Sequence, residues 1–208
     1  MPSIMSLSEL IALCVFCAAM TFTPGPNTML TTAIASNYGL RHVIPFTLGV
    51  PCGWALIQVI CGLGIGTLVI QIPLLRWLIQ LIGCLYLLWL AWTLSRSTML
   101  IPLGEKPLKI SFSKGILLQF LNIKVWLLAI TVTGNWVIQS ENSTGNHEMQ
   151  RLILCTAILM FFAFASNLTY ALLGSSARKW LMHGRRLLIF NRLLASLLAI
   201  TAIWTLSL

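Results

Sequence analysis

Apolar residues gather into six stretches along the chain, at about 7–36, 43–70, 74–95, 112–138, 152–174 and 187–208. Polar and chain-breaking segments separate them: Asn37 to His42, Gln71-Ile72-Pro73, Arg96 to Lys114, Gln139 to Arg151 and Ser175 to Arg186. A helix rising about 1.5 Å per residue needs about 20 apolar residues to cross the hydrocarbon layer. All six stretches reach that length. The pattern predicts an all-α integral membrane protein with six transmembrane helices and no separate soluble domain. The membrane domain 1–208 divides into a three-helix unit at 1–95, a loop at 96–111 and a second three-helix unit at 112–208. Three is odd, so the second unit enters the bilayer inverted, which is the arithmetic of a 3+3 inverted repeat.

Within these stretches the breakers carry the information. The first contains Thr23-Pro24-Gly25-Pro26-Asn27. Pro24 removes the amide that would bond to the Met20 carbonyl, and Pro26 does the same to Phe22. Two half-helices with a break near the bilayer midplane are therefore expected. Such a break is tolerated in lipid only where it is buried or lines a wet cavity. The second half would start with Pro26 at its first position, where proline fits. The amides of Asn27, Thr28 and Met29 would then lack intrahelical partners and form a positive dipole end suited to a carboxylate. The freed carbonyls of Met20 and Phe22 would suit water or an ammonium group. The alternative is a structural kink satisfied by Thr21, Thr23 and neighbouring helices. The second stretch holds Gly49, Pro51 and Gly53, which predict a kink. The pairs Gly49/Gly53 and Gly62/Gly66 would let other helices approach closely.

Two further stretches hold polar residues far from their ends. In Gln119-Phe120-Leu121-Asn122-Ile123-Lys124, the lysine falls some 12 residues into its stretch, about 18 Å deep in a straight helix. A lysine inside hydrocarbon costs about 2.5–3.5 kcal/mol or more. Lys124 should face a partner or a cavity, with Asn122 and Gln119 in the same polar cluster, unless it snorkels to an interface. In Ser166-Asn167-Leu168-Thr169-Tyr170, Asn167 would either bond to the opened backbone of the first helix or make a plain interhelical hydrogen bond. Trp54 could line a cavity, but nothing local argues for it.

Composition narrows the class. Of 208 residues, 58% are apolar and 8% charged, against about 25% charged in soluble domains. This excludes a disordered chain, a disulfide scaffold and almost any soluble enzyme. The net charge of +9 reads as an orientation signal, not a nucleic-acid surface. Arg41, Arg96, Lys106, Lys109, Lys114, Arg178, Lys179, Arg185, Arg186 and Arg192 fall in the odd-numbered loops, and only Arg76 and Arg151 in the even-numbered ones. The positive-inside rule then puts the odd loops in the cytoplasm and both termini outside. Cys14, Cys17, Cys52, Cys61, Cys84 and Cys155 lie in apolar runs and read as small buried residues. The three histidines are scattered, no carboxylate lies deep in a helix, and no catalytic set, metal-ligand spacing or P-loop is present. No cofactor and no metal are expected, and a membrane enzyme is disfavoured.

Three motifs carry a resemblance. They are Phe22-Thr23-Pro24-Gly25-Pro26-Asn27 followed by Tyr38-Gly39-Leu40-Arg41 and Gly49; Leu85-Tyr86-Leu87-Leu88-Trp89-Leu90-Ala91-Trp92; and Phe112-Ser113-Lys114-Gly115 leading into Gln119 to Lys124. Together they resemble the LysE/RhtB family of bacterial amino-acid exporters over nearly the whole chain. Many members have Asn-Pro-Lys where this chain has Asn122-Ile123-Lys124, and the cysteine/O-acetylserine branch likewise lacks the proline. The resemblance implies a six-helix inner-membrane exporter of small neutral amino acids, driven by the proton motive force, with threonine or homoserine as an alternative substrate. The missing proline leaves a matching break in the fourth helix open. The expected substrate site comprises Pro24, Gly25, Pro26, Asn27, Thr28, Gln119, Asn122, Lys124 and Asn167. Expected partners are an amino-acid substrate, membrane lipid and a second copy of the chain, with no nucleic acid. The competing class is a non-transporting membrane scaffold or complex subunit.

Overall fold

The first apolar stretch folds as two helices, α1 (Leu7–Phe22) and α2 (Pro26–Tyr38), whose axes are bent by 54° at the proline break. The computed structural model describes residues 4–96, 111–138, 145–181, 183 and 185–207. Ser6 caps α1 in a reciprocal pair with Glu9, which satisfies two amides at the helix start. Gly39, at φ 87°, turns the chain into α3 (Leu40–Gly62). That left-handed conformation favours glycine.

α3 continues through Pro45 and Pro51 as one helix. The second apolar stretch nonetheless does not form a single element. It turns at Gly64, φ 85°, and resumes as the short α4 (Gly66–Gln71). Gly62 and Gly66 therefore do not share a helix face, as their spacing had implied. Gly49 and Gly53 do. A Cβ on Gly49 would sit 2.1 Å from the Phe112 carbonyl, and one on Gly53 would sit 2.5 Å from Gln119 Cγ.

α5 (Pro73–Ser95) follows, then α6 (Phe112–Phe120) and α7 (Ile123–Val132), which ends in a π-helical turn at Thr133–Val137. The fourth stretch is thus broken too, with a bend of 73° between α6 and the segment after it. This answers the question that the missing proline had left open. Asn122 extends its backbone (φ −104°, ψ 97°) and caps α7 with its side chain, a stop-and-start signal that asparagine supplies as well as proline does. α8 (Gly145–Leu181) is longer than its apolar run, and Arg178 and Lys179 in its last turn complement the helix dipole. α9 (Arg186–Trp204) completes the order.

Buried Val43, Phe46, Val50, Trp54, Ile57 and Cys61 form one stripe on α3 at the three-and-four spacing of a helix face. Leu152, Cys155, Leu159 and Ala163 do the same on α8. α3 packs against α8 and α6, α2 against α8, and α5 against α9. Outward faces carry Leu74, Trp77, Ile82, Leu85, Trp89, Leu193, Leu197 and Ile200. Large apolar side chains exposed along whole helices suit a lipid solvent. Among the described residues, four helices are long and apolar enough to cross a membrane, or up to six if each bent pair counts as one span. The joining segment 97–110, with Lys106 and Lys109, lies outside the described residues.

Candidate functional site

The proline break organises hydrogen bonding on both of its sides. Gly25 is extended (φ −165°, ψ −176°) and Pro26 opens α2. The Gly25 N–H donates to Thr28 Oγ1 at 2.9 Å, and that hydroxyl donates to the Gly25 carbonyl at 3.0 Å. The Met29 N–H reaches the same carbonyl at 2.9 Å. Two amides, those of Asn27 and Thr28, are thus left at the start of α2 without a side-chain cap, not the three expected from the sequence. They carry the positive end of the helix dipole.

On the other side, α8 takes up the loosened carbonyls of α1. Ser166 Oγ donates to the Thr21 carbonyl at 2.7 Å, and the Tyr170 hydroxyl donates to the Phe22 carbonyl at 3.0 Å. Phe22 is therefore not open to water or an ammonium group. Asn167 makes the plain interhelical hydrogen bond, the second of its two expected roles, and does not bond this backbone. Its Nδ2 donates to Ala163 O at 2.8 Å and its Oδ1 accepts from Thr31 Oγ1 at 3.0 Å.

The second break presents a similar arrangement. Asn122 Oδ1 accepts the Lys124 N–H at 3.2 Å, and the Asn122 carbonyl accepts the Val125 N–H at 2.9 Å. Trp126 Nε1 donates to the Phe120 carbonyl at 3.0 Å. Gly83 of α5 lies under the break, where a Cβ would come within 2.1 Å of the Leu121 carbonyl. The two breaks are tied together. Asn27 Nδ2 donates to Gln119 Oε1 at 2.7 Å, and Gln119 Nε2 donates back to Asn27 Oδ1 at 3.1 Å and to Gly115 O at 2.7 Å.

Lys124 completes the site. It is half-buried, with its Nζ 4.0 Å from where a Cβ of residue 25 would lie. It occupies the second position of α7, where a cation opposes the helix dipole. Its ammonium has no carboxylate partner among the described residues; their one ion pair joins Arg151 to Glu9 at 3.4 Å. Two start-of-helix dipoles and a lysine thus meet at one place.

That place borders a cavity of about 350 Å³, with Phe16 and Met20 of α1, Leu127, Leu128 and Thr131 of α7, and Trp204 of α9 among its walls. Its size falls in the range of about 300–1,000 Å³ common for small-molecule sites. A recess of about 20 Å³ shares Gly25, Pro26, Asn122 and Lys124 with it and reaches Asn27, Thr28, Trp54 and Asn167. Pro24 lines the main cavity alone. Of the residues expected at the site, Gln119 lies behind it, wholly buried, and acts on it through Asn27.

The LysE type translocator family matches residues 18–207. The chain belongs to that family. Curated relatives include the "Cysteine/O-acetylserine efflux protein" of Salmonella typhimurium (strain LT2), 29% identical over 186 residues that cover 87% of this chain and 89% of the relative. The protein of the same name from Klebsiella pneumoniae is 30% identical over 184 residues, covering 87% of this chain and 88% of that one. The one from Escherichia coli (strain K12) is 29% identical over 184 residues, covering 87% and 89%. No solved structure matches the chain. Family membership makes the chain a translocator, and both breaks and Lys124 fall within the matched region.

Two ties lie away from the cavity. At one end of the helices, Trp136 Nε1 donates to Glu9 O at 3.2 Å and Arg151 Nη1 donates to Trp136 O at 3.1 Å. At the other, Asn37 and Asn191 exchange side-chain hydrogen bonds of 2.8 and 3.0 Å. All six cysteines are free. Among the described residues, no group of three or more His, Cys, Asp or Glu side chains could hold a metal ion.

Trp54, which the sequence offered as a possible cavity wall without local support, does line the recess. It sits 4% exposed beside the recess, and its Nε1 has no hydrogen-bond partner among the described residues. One signal was available: position 54 is well inside a 23-residue helix, too far from either end for an interfacial anchor.

Proposed function

We propose that this chain exports small neutral amino acids across the bacterial inner membrane, with cysteine and O-acetylserine as first candidates. One observation carries the proposal: the uncapped start of α2, the start of α7 and Lys124 all border the same cavity. Each is positive, and none has a protein carboxylate to neutralise it among the described residues. A substrate carboxylate supplies the missing charge. Met20, whose carbonyl loses its helical partner to Pro24, lines the same cavity and suits the ammonium group of a zwitterion. The apolar walls from Phe16, Met20, Leu127 and Leu128 suit an uncharged side chain. The names of the relatives agree with this chemistry.

In this reading the chain has six spans, each bent pair crossing once. The broken helix comes first in each half, as an inverted repeat requires. Loops one, three and five lie in the cytoplasm and both termini in the periplasm, following the basic residues. The two three-helix units rock about the site, opening it alternately to each side. The proton motive force drives the cycle by antiport, with Lys124 or the substrate amine carrying the proton.

The test is efflux from proteoliposomes loaded in turn with a panel of amino acids, with and without a proton gradient. L-Cysteine and O-acetyl-L-serine should leave faster than from protein-free vesicles, and an uncoupler should abolish the gain. Fluxes equal to those of protein-free vesicles across the whole panel would overturn the reading.

A further inference from the structure

Trp54 is the buried polar group that the carboxylate reading leaves unused. Its ring belongs to the core stripe of α3, but its Nε1–H has no partner among the described residues. A buried donor left unbonded costs about 1–3 kcal/mol, so an indole held in this way needs an acceptor. The recess it lines mixes polar side chains, Asn27, Thr28, Asn122, Lys124 and Asn167, with apolar Met20 and Ala163. The amide of Asn27 is committed to Gln119, and Asn167 is bonded on both sides to Thr31 and Ala163. Neither competes for the indole proton. At about 20 Å³ the recess admits one or two oxygen-sized atoms. It is too small for an amino-acid side chain, which the adjoining cavity of about 350 Å³ accommodates.

We infer that Trp54 is a substrate-positioning residue whose indole N–H donates to one carboxylate oxygen of the amino acid, lodged in the recess between the starts of α2 and α7. The inference rests on the carboxylate reading above and adds a fixed direction to it. A helix end and a lysine attract any anion, whereas an indole N–H on a buried, packed ring donates to an oxygen only along one line. The carboxylate is thereby oriented and the side chain turned toward the larger cavity. Substrates lacking the carboxylate lose this contact altogether.

The test uses the full chain in proteoliposomes, with L-cysteine and cysteamine as probes; the latter keeps the amine and thiol but has no carboxylate. Trp54→Phe retains the ring and removes the donor. It should raise the half-saturating L-cysteine concentration about tenfold, with an unchanged maximal rate, and leave any cysteamine flux as in the wild type. Wild-type L-cysteine kinetics in Trp54→Phe, together with a strong defect in Lys124→Ala, would overturn the role of Trp54 and leave the carboxylate reading standing. No saturable L-cysteine flux in the unaltered protein would overturn both. Should Trp54→Phe fail to fold, the unaltered chain labelled with ¹⁵N-tryptophan gives a direct readout. One indole N–H resonance should move on adding L-cysteine and not on adding cysteamine, and a spectrum indifferent to both would overturn the inference.

Discussion

Asn27 and Gln119 exchange two hydrogen bonds, 2.7 and 3.1 Å long, between the first turn of α2 and the last turn of α6. Each amide is the other's principal partner, and both are buried. The pair fixes the distance between the two helix breaks, so it sets the shape of the site without Gln119 touching the cavity.

Breaking the pair should therefore show first in stability. Gln119→Leu leaves the buried Asn27 amide unsatisfied and is expected to cost about 1–3 kcal/mol. Adding Asn27→Leu removes the orphaned group, so the second substitution should cost less than the first. Unfolding of the purified proteins in detergent measures both.

Lys124→Ala is expected to insert normally and to lose export by about 100-fold, the scale of removing one partner from a desolvated charge pair. Flux per molecule of membrane-inserted protein is the measurement. Undiminished export would remove Lys124 from the mechanism.

Gly83 and Gly134 give a contrasting pair. A Cβ at 83 would lie 2.1 Å from the Leu121 carbonyl, whereas a Cβ at 134 meets nothing within 4 Å. Gly83→Ala must push α5 off the second break, and is expected to cost about 1–3 kcal/mol and to impair transport. Gly134→Ala should change stability by less than about 1 kcal/mol. Melting temperatures of the two variants side by side give the comparison.

Pro26→Ala restores an amide that can reach Phe22 O if the first span straightens. Pro26 opens α2, where proline carries no penalty; what the substitution removes is the cost of about 3 kcal/mol that it would impose inside a straightened span, so that form becomes accessible. Straightening would also fill the cavity mouth, and flux should fall at least about tenfold. Lower transport by normally inserted protein is the expected signature; unchanged transport would show that the break does not depend on this residue.

The legible parts of the fold were those with a covalent cause. Pro24 and Pro26 lack amide protons, so the first break could be placed to the residue. The break at Asn122 could not, because a capping asparagine and an ordinary helical asparagine look alike until the backbone conformation is known. The reach of Lys124 into a cavity followed from its depth. The division of labour among Ser166, Asn167 and Tyr170 did not: the three fall within little more than one helical turn, and only the packing of α8 on α1 and α2 decides that Ser166 and Tyr170, not Asn167, meet the loosened carbonyls. Trp54 could be named only as a possible cavity wall, because its significance lies in a missing partner, which no sequence displays.

The absence of a carboxylate beside Lys124 among the described residues has an electrical consequence. A zwitterion entering the site brings equal and opposite charges, so it does not cancel the lysine. If Lys124 stays protonated while the site switches sides, the protein itself shifts part of an elementary charge through the membrane field. A whole charge crossing the whole field is worth about 2.3 kcal/mol per 100 mV. Turnover would then respond to voltage even with no pH difference imposed, and currents without substrate would report the motion of the carrier alone.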